Sequence, residues 1–332
     1  MILTVTPNPS IDRTVNLTAP LTRGAVQRVG TVVNEPGGKG VNVARALTLA
    51  GADTLALLPA TERDPLLTAL QDSAVPFRRV PTDQPVRTNL AITEPDGTTT
   101  KLNERGGVLG TTAGAALTDA VVDAARDAHW VVLSGSLPPG LPDDWYADVV
   151  VALAGTGCRV AVDTSEGPLS ALAAAFRRGD RRAAPDLLKP NAEELAGLVG
   201  ASADELERAA AHGDPDPVVT AARRLVDLGV GAVLATLGAA GAVLVDSTGA
   251  WLATPPPIVP RSTVGAGDAS LAGYLRAAVG GAEPPRRLQM AVAYGSAAAA
   301  LPGTAMPSPA DLDLDGVAVT PISPMFTAPL SS

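Results

Sequence analysis

The chain has 332 residues, 46% of them apolar but only 3% aromatic, and its formal net charge is −9. This length allows one large α/β domain with an appendage or two modest domains, with a core built from Ala, Val and Leu. The acidic balance argues against general binding to nucleic acids or anionic membranes, and a single cysteine excludes a disulfide framework.

The first segment with a clear pattern is a buried strand over residues 2–6. No basic region precedes this strand, so the start of the chain does not resemble a signal peptide. No apolar run further along reaches the length of a membrane span. We therefore expect a cytoplasmic protein that has neither a membrane nor a nucleic acid as its partner.

Two stretches of the chain, 10–33 and 85–104, alternate apolar and polar residues in the manner of half-exposed strands. The second stretch indicates a hairpin, because its two alternating runs flank the turn sequence Glu94-Pro-Asp-Gly97. These stretches predict a small β-sheet that lies beside the main domain as a lid and could cover a ligand.

The rest of the chain alternates strands and helices, which predicts a mostly parallel, doubly wound sheet. Strands are predicted near 130–134, 158–163, 186–189 and 232–236, and helices near 115–126, 142–154, 191–199, 216–228, 268–279 and 284–300. The predicted core comprises residues 1–9, 34–84 and 105–332, and the predicted lid comprises 10–33 and 85–104. The Pro-rich end of the core, 302–332, is weakly patterned and is expected to form an irregular tail.

The motif Ser262-Thr-Val-Gly-Ala-Gly-Asp268 carries the strongest chemical signal. Glycines let successive backbone N–H groups converge on an anion, and the start of the following helix adds partial positive charge. Asp268, at the first helical position, could face a substrate hydroxyl and accept its proton during phosphoryl transfer. The alternative is that Asp268 is only the N-cap of the helix after a flexible loop.

A second glycine-rich motif, Gly37-Gly-Lys-Gly-Val-Asn-Val-Ala-Arg45, opens the helix that follows the first lid stretch. Its glycines permit close approach to a ligand, Asn42 could bond sugar hydroxyls, and Lys39 could reach a phosphate. The alternative is an ordinary helix start with a solvated arginine. Of the 25 basic residues three are lysines, and all three fall within motifs: Lys39, Lys101 and Lys189.

The third motif, Lys189-Pro-Asn-Ala-Glu-Glu194, lies where a strand ends and a helix begins, the place where doubly wound folds bind ligands. Asn191 and Glu194 are three residues apart and project from one helical face. An amide oxygen and a carboxylate there suit Mg²⁺ held through water. A capping box, with Asn at the N-cap and Glu at N3, explains the same spacing equally well.

A fourth sequence, Thr236-Leu-Gly-Ala-Ala-Gly241, is a strand followed by a glycine turn that could cradle nucleotide phosphates or merely form a hairpin. Ser134-Gly-Ser-Leu-Pro-Pro-Gly140 ends a core strand and is a weaker candidate. Further weak candidates lie in or beside the lid stretches: Asp12, Arg13, Arg87, Asn89, Lys101 and Arg105.

In order and spacing, these motifs together resemble those of the ribokinase-like, PfkB-type carbohydrate kinases, and within them the 1-phosphofructokinase and tagatose-6-phosphate kinase group. The resemblance covers nearly the whole chain, from Thr6-Pro-Asn-Pro-Ser-Ile-Asp12 to Asp268. It implies a ribokinase-like three-layer α/β/α fold with a mostly parallel, doubly wound sheet and a small β-sheet lid. Members of the family are often dimers through their lids, so the resemblance also implies a homodimer.

The resemblance implies roles for the motif residues, with ATP and Mg²⁺ as cofactors and a sugar phosphate as the acceptor. Asp268 resembles the catalytic base, beside an anion hole formed by Gly265, Ala266 and Gly267. The residues that resemble the ATP side are Lys189, Asn191, Glu194, Thr236, Gly238 and Gly241, with Asn191 and Glu194 also tied to Mg²⁺ through water. The residues that resemble the sugar-phosphate side are Asp12, Gly38, Lys39, Asn42, Arg87, Asn89 and Arg105.

The acceptor implied by the resemblance is fructose 1-phosphate, which would be converted to fructose 1,6-bisphosphate. Gly-Gly-Lys-Gly, Arg87-Thr-Asn89 and Lys101-Leu-Asn103 carry this likeness to the 1-phosphofructokinases. Tagatose-6-phosphate kinase and 6-phosphofructokinase of the same family are near alternatives. A non-catalytic sugar-phosphate sensor is an alternative of another class, although a sensor should have lost the base or the glycines.

A nicotinamide-dependent oxidoreductase is disfavoured, because no Gly-X-Gly-X-X-Gly sequence follows the first strand. The loops at 59–65 and 106–109 depart from the family pattern, and both bear on closure of the lid. Ala269 follows the predicted base where serine is common, a change of little expected consequence.

Overall fold

The computed structural model describes residues 1–322 of the chain. These residues form a ten-stranded sheet with helices on both faces and a separate four-stranded sheet. The strands are β1 (Ile2–Val5), β2 (Ser10–Leu17), β3 (Val29–Gly37), β4 (Thr54–Ala60), β5 (Phe77–Pro81), β6 (Arg87–Thr93), β7 (Thr99–Asn103), β8 (Trp130–Ser134), β9 (Arg159–Asp163), β10 (Leu187–Leu188), β11 (Ala232–Thr236), β12 (Ala242–Asp246), β13 (Gly249–Thr254) and β14 (Ala318–Pro321). The helices are α1 (Lys39–Leu49), α2 (Pro65–Asp72), α3 (Thr111–Ala125), α4 (Trp145–Leu153), α5 (Glu166–Arg177), α6 (Ala192–Val199), α7 (Ala203–Ala211), α8 (Asp216–Asp227), α9 (Ala266–Val279) and α10 (Pro284–Ala300).

The large sheet has the strand order β14-β13-β12-β11-β10-β9-β8-β1-β4-β5. From β5 to β11 every neighbouring pair is parallel, whereas β12, β13 and β14 add antiparallel strands at one end. Parallel strands are joined by crossover helices, so their carboxyl ends meet at one edge of the sheet, where ligands bind. The prediction of a mostly parallel, doubly wound sheet is confirmed.

Alternation along the central strands divides the core between the two faces of the large sheet. Leu3 and Val5 of β1 belong to the apolar cluster that the sheet forms with α3 to α8. Ile2 and Trp130 belong to the cluster on the opposite face, formed with α1, α9 and α10. Successive strand residues point to opposite faces, so a strand buried on both sides is predominantly apolar.

Helix α9 packs between α1 and α10. Its close approach to α10 occurs at Gly273, where a Cβ atom would lie only 2.5 Å from the carbonyl oxygen of Met290. A larger residue there would push the two helices apart. Close packing therefore holds α9, and the residues at its N-terminus, in a fixed position.

The small sheet has the strand order β3-β2-β6-β7 and unites the two stretches of alternating sequence. Strand β2 pairs antiparallel with β3 but parallel with β6, and β6 pairs antiparallel with β7. Strand β3 continues to Gly37, past the predicted limit at residue 33, so the second glycine motif begins inside this sheet. We call these four strands the lid.

Four elements differ from the sequence-based expectations. Strand β5 and helices α5 and α7 were not predicted. In α5 the sequence Glu166-Gly-Pro contains two residues that usually interrupt helices, but Pro168 lies in the first helical turn, where its missing N–H costs no hydrogen bond. Within the segment expected to be irregular, β14 pairs with β13, and a four-residue edge strand gives too short a pattern to detect. The remainder of that segment, 323–332, lies outside the described residues.

No helix within residues 1–322 combines the length and apolar character needed to cross a membrane.

Candidate active site

A cleft of about 360 Å³ lies between the carboxyl edge of the large sheet and the lid. Its lining brings together residues from all four motifs and from both lid stretches: Asp12, Gly38, Lys39, Asn42, Arg87, Asn89, Lys189, Asn191, Glu194, Thr236, Val264, Gly265, Gly267 and Asp268. Four residues predicted for the site are not part of this lining: Arg105, Gly238, Gly241 and Ala266. The fold thus gathers most of the predicted site residues in one place.

Helix α9 begins at the strongest motif and presents its N-terminus to the cleft. Its N-cap is Gly265, whose φ of +80° is a left-handed conformation that glycine adopts without strain. The interpretation of Asp268 as the N-cap is therefore wrong. The first N–H groups of a helix have no partner within it, so this end can bind an anion. Ala266 packs its methyl group against the core and contributes to this end only through its backbone.

The Asp268 carboxylate lies in the first turn of α9 and is only 7% exposed. Its Oδ2 accepts a hydrogen bond of 2.9 Å from Nδ2 of Asn42. Burial raises the pKa of Asp268 to about 6, and the negative charge of Asp163 adds to the rise, while Lys39, Asn42 and Lys189 oppose it. The carboxylate is therefore ionised at neutral pH yet basic enough to accept a proton.

A buried ion triad forms the floor of the cleft. Asp163, at the end of β9, is fully buried; its Oδ1 accepts a hydrogen bond of 2.7 Å from Nζ of Lys39, and its Oδ2 lies 3.0 Å from Nζ of Lys189. Burial favours the neutral acid, but the two ammonium groups outweigh this effect and hold the pKa of Asp163 below its usual range. Burial alone would lower the pKa of Lys39, but Asp163, Asp268 and Glu194 together raise it. Asp163 and Lys39 therefore both stay charged.

Asp163 is the site residue that the sequence analysis missed. The available signal was an acidic residue at the carboxyl end of an otherwise apolar strand, beside the buried Thr164. In a parallel sheet that position opens onto the ligand edge. Its two partners were predicted as ligand groups, but both lie far from it in sequence, and nothing in the motifs indicates a shared counterion.

Asn191 and Glu194 form a complete capping box at the start of α6. Oδ1 of Asn191 accepts a hydrogen bond of 2.7 Å from the backbone N–H of Glu194. In return, the backbone N–H of Asn191 donates to Oε2 of Glu194 at 2.8 Å. The capping interpretation of this spacing is confirmed, and the box fixes the Glu194 side chain beside the cleft.

The donor set at this corner suits a magnesium ion held mainly by a nucleotide. Within residues 1–322, no group of three His, Cys, Asp or Glu side chains could hold a metal by itself. Mg²⁺ commonly takes one or two protein carboxylates together with phosphate oxygens and water. Glu194 lines the cleft with Oε1 outside the capping box, so this residue fits such a site.

The lid contributes polar groups to the other side of the cleft. Oδ1 of Asp12 accepts a hydrogen bond of 2.9 Å from Nδ2 of Asn89 and one of 2.8 Å from the Ser10 hydroxyl. Oδ1 of Asn89 and Nε of Arg87 are buried, and neither has a hydrogen-bond partner within the described part of the chain. Buried polar atoms are normally paired, so this acceptor and donor point to a polar ligand.

The remaining predicted residues lie at or behind the rim. Thr236, at the end of β11, lines the cleft and forms an isolated bridge with Asn191. Gly241 belongs to the turn into β12, where its φ is +99° and a Cβ atom would collide with the carbonyl oxygen of Ala253. The neighbouring Gly238 opens the same turn. Arg105 is exposed on the loop after β7.

Comparison with known proteins gives consistent matches over nearly the whole chain. Residues 5–311 match the family described as pfkB family carbohydrate kinase. A 1-phosphofructokinase from Rhodobacter capsulatus is 37% identical over 324 residues, which cover 93% of both chains. The ATP-dependent 6-phosphofructokinase isozyme 2 of Escherichia coli K12 is 33% identical over 307 residues, which cover 91% of this chain and 94% of the relative.

Solved structures agree with the sequence matches. A crystal structure of phosphofructokinase-2 from Escherichia coli in complex with substrates and products aligns with a TM-score of 0.83 at 32% identity. The alignment covers 93% of this chain and 96% of the other. A structure of Arabidopsis thaliana ribokinase complexed with ribose and ATP aligns with a TM-score of 0.69 at 20% identity, over 92% of this chain and 95% of the other. The predicted ribokinase-like fold is therefore confirmed.

We predict that Asp163→Asn lowers the free energy of unfolding by about 3 kcal/mol or more, because the buried ammonium group of Lys189 would lose its counterion and Lys39 would lose its ion pair. Urea unfolding followed by circular dichroism measures this change. The matched control is Asp123→Asn, which breaks an exposed ion pair with Arg78 and should cost far less, because solvent screens the two charges. Equal small losses in both variants would contradict the account of the triad.

Proposed function

The chain belongs to the pfkB family of carbohydrate kinases, and on that premise we propose that it transfers the γ-phosphoryl group of ATP to the 6-hydroxyl of fructose 1-phosphate. The product is fructose 1,6-bisphosphate. One observation carries the proposal: the buried Asp268 carboxylate is held by Asn42 at the N-terminus of α9, next to the ion triad. This arrangement provides a proton acceptor, an anion site and positive charge in one cleft.

In the proposed reaction, Asp268 accepts the proton of the acceptor hydroxyl. The hydroxyl oxygen forms a bond to the γ-phosphorus, the bond between that phosphorus and the bridging oxygen breaks, and ADP leaves. Asn42 occupies Oδ2 of the carboxylate, which leaves Oδ1 for the hydroxyl. A pKa of about 6 keeps the carboxylate in the required form at neutral pH.

The transferring phosphoryl group gains negative charge that the protein must stabilise. We assign this task to the backbone N–H groups of Gly265, Ala266 and Gly267 at the start of α9, because they are fixed before the reaction begins. Lys39 and Lys189 add positive charge from the floor of the cleft. Phosphoryl transfer depends mainly on such positioning and charge neutralisation.

We place ATP on the side of the cleft lined by Lys189, Asn191, Glu194 and Thr236. When bound, Mg²⁺ would neutralise charge on the nucleotide phosphates, with Glu194 and Asn191 holding it through water. The turn that contains Gly238 and Gly241 lies directly after Thr236 and bounds this side of the site.

We place the sugar phosphate on the lid side of the cleft. Oδ1 of Asn89 has no hydrogen-bond partner within residues 1–322, so it suits a sugar hydroxyl, and Asp12 lies beside it. The Arg87 guanidinium suits the phosphate that the acceptor already carries. Gly38, with φ of +103°, lets the backbone approach the sugar closely. We also place Arg105 on this side, because it lies on the loop that follows β7 of the lid. We infer a cytoplasmic location from the proposed use of ATP and a sugar phosphate.

The other acceptors differ in where the phosphate lies relative to the reacting hydroxyl. Fructose 6-phosphate and tagatose 6-phosphate offer the hydroxyl at carbon 1, whereas fructose 1-phosphate offers the one at carbon 6. Fructose 6-phosphate is the second candidate, because a 6-phosphofructokinase is among the similar proteins. A non-catalytic sensor is disfavoured, because the chain belongs to a kinase family and Asp268 is present with its hydrogen bond from Asn42.

We predict that the purified protein with Mg²⁺ and ATP releases ADP fastest with fructose 1-phosphate, when compared with fructose 6-phosphate and tagatose 6-phosphate. We also predict that Asp268→Asn lowers kcat by about 10²–10⁴-fold, because the hydroxyl loses its proton acceptor. Binding of ATP by the variant, measured by calorimetry, should change little. A variant that kept most of the wild-type kcat would contradict the role of Asp268.

We further propose that two copies of the chain pair through their lids. Strand β3 is an edge strand of the lid and is exposed over residues 29–34, including the apolar Val29, Val32 and Val33. Strand β7 at the opposite edge is exposed along its whole length. Long exposed edge strands with apolar side chains tend to pair with another chain. A second copy of the lid would cover these residues.

The proposed dimer can be tested by placing charged side chains on the exposed edge strand β3. Val32→Asp with Val33→Asp should convert the dimer to a monomer in analytical ultracentrifugation, because two carboxylates would be buried without partners. Val279→Asp is the control, since Val279 is equally exposed at the far end of α9. A wild-type protein that sediments as a monomer at every concentration tested would refute the proposal.

A further inference from the structure

Arg45 lies behind the proposed base and contacts it only through Asn42. It belongs to α1, one turn after Asn42, and its side chain is only 11% exposed. The guanidinium donates to Oε1 of Glu35 at 2.9 Å and to the backbone oxygens of Thr304 at 3.1 Å and Pro36 at 3.3 Å. It also donates to Oδ1 of Asn42 at 3.3 Å. The sequence alone left open whether this arginine is merely solvated at an ordinary helix start.

We propose that Arg45 is a positioning residue that fixes the amide orientation of Asn42 and, through it, the Asp268 carboxylate. An asparagine amide has one accepting end and one donating end. A guanidinium only donates, and an ionised carboxylate only accepts, so the amide can satisfy both neighbours in one orientation alone. Turned over, it would set its NH₂ group against the guanidinium and its oxygen against the carboxylate.

The orientation matters because one oxygen of Asp268 must stay free. Nδ2 of Asn42 holds Oδ2 of the carboxylate, so Oδ1 is the oxygen that can take the proton of the acceptor. A carboxylate without this restraint would rotate, and misplaced catalytic groups lose much of the advantage of proximity. This inference rests on the proposed role of Asp268 as the base.

Arg45 is itself held by two segments that lie far apart in the chain. Glu35 belongs to β3 of the lid, and Thr304 belongs to the segment after α10. The Thr304 hydroxyl donates to Oε2 of Glu35 at 2.6 Å, so the carboxylate of Glu35 meets both Arg45 and Thr304. The same segment reaches the start of α9, where Cε of Met306 lies within 2.5 Å of the position a Cβ of Gly265 would take. The segment after α10 thus supports the site from behind.

The first test is the steady-state kinetics of Arg45→Met. We expect kcat to fall about 10- to 100-fold, the effect of one hydrogen bond to a charged group. The KM values for ATP and sugar phosphate should stay within about threefold, because Arg45 does not line the cleft and ligand binding does not require it. The matched control is Arg223→Met, which removes another partly buried arginine bonded to the backbone oxygens of Asp246 and Gly249. This control should lose stability but keep its kcat.

The second test asks whether Arg45 acts through Asn42. In an Asn42→Ala background, adding Arg45→Met should lower kcat by less than about threefold, because the amide to be oriented is gone. Independent, multiplicative losses in the double variant would overturn the inference. So would a wild-type kcat in Arg45→Met when Asp268→Asn is inactive, a result that would leave the proposed function intact. An active Asp268→Asn would instead refute the proposed function itself.

Arg45→Met could fail to fold, since it leaves Glu35 without its partner. Two milder variants then carry the test. Arg45→Lys keeps the charge but not the fork of donors, and Glu35→Gln keeps the shape but weakens the anchor. Each should lower kcat with little change in either KM, and Arg45→Lys should keep more activity than Arg45→Met. Wild-type kcat in both folded variants would overturn the inference.

Discussion

The ion triad of Lys39, Asp163 and Lys189 is the interaction on which the rest of the cleft depends. A fully buried carboxylate is tolerated only when it is paired, and Asp163 is paired with two cations. Each cation comes from a different element, one from the start of α1 and one from the end of β10. The charge at the end of β9 therefore fixes where the motifs that contain Lys39 and Lys189 meet.

The same triad sets the chemistry of Asp268. Two ammonium groups and one carboxylate give the triad a net positive charge next to the Asp268 carboxylate. The negative charge of Asp163 nevertheless raises the pKa of Asp268, and burial raises it further. The cleft thus places two ammonium groups beside a carboxylate with enough basicity to take a proton. An Asp268 exposed to solvent would have the lower pKa of an ordinary aspartate and would be a weaker base.

The sequence was sufficient for the strand and helix alternation, for the lid and for most of the cleft, because these depend on local patterns. Glycines mark the helix starts, and Asn191 and Glu194 carry the spacing of a capping box that the structure contains. Asp163 was not predicted as a site residue, because its role depends on Lys39 and Lys189, which are distant in sequence, and not on the residues next to it. The sequence left the role of Arg45 open for the same reason: its contact with Thr304 joins residues far apart in the chain, and only packing brings them together.

The most direct test of this account is the pH dependence of kcat/KM for the sugar phosphate. Protonated Asp268 cannot accept a proton, so activity should fall about tenfold per pH unit below a pKa of about 6. A phosphate ester also titrates near pH 6, so Asn42→Ala provides the distinction. Loss of its hydrogen bond to the carboxylate should move the acidic limb to higher pH, whereas a limb due to the substrate would stay in place. A limb near pH 4, or one unmoved by Asn42→Ala, would contradict the assignment of Asp268 as the base.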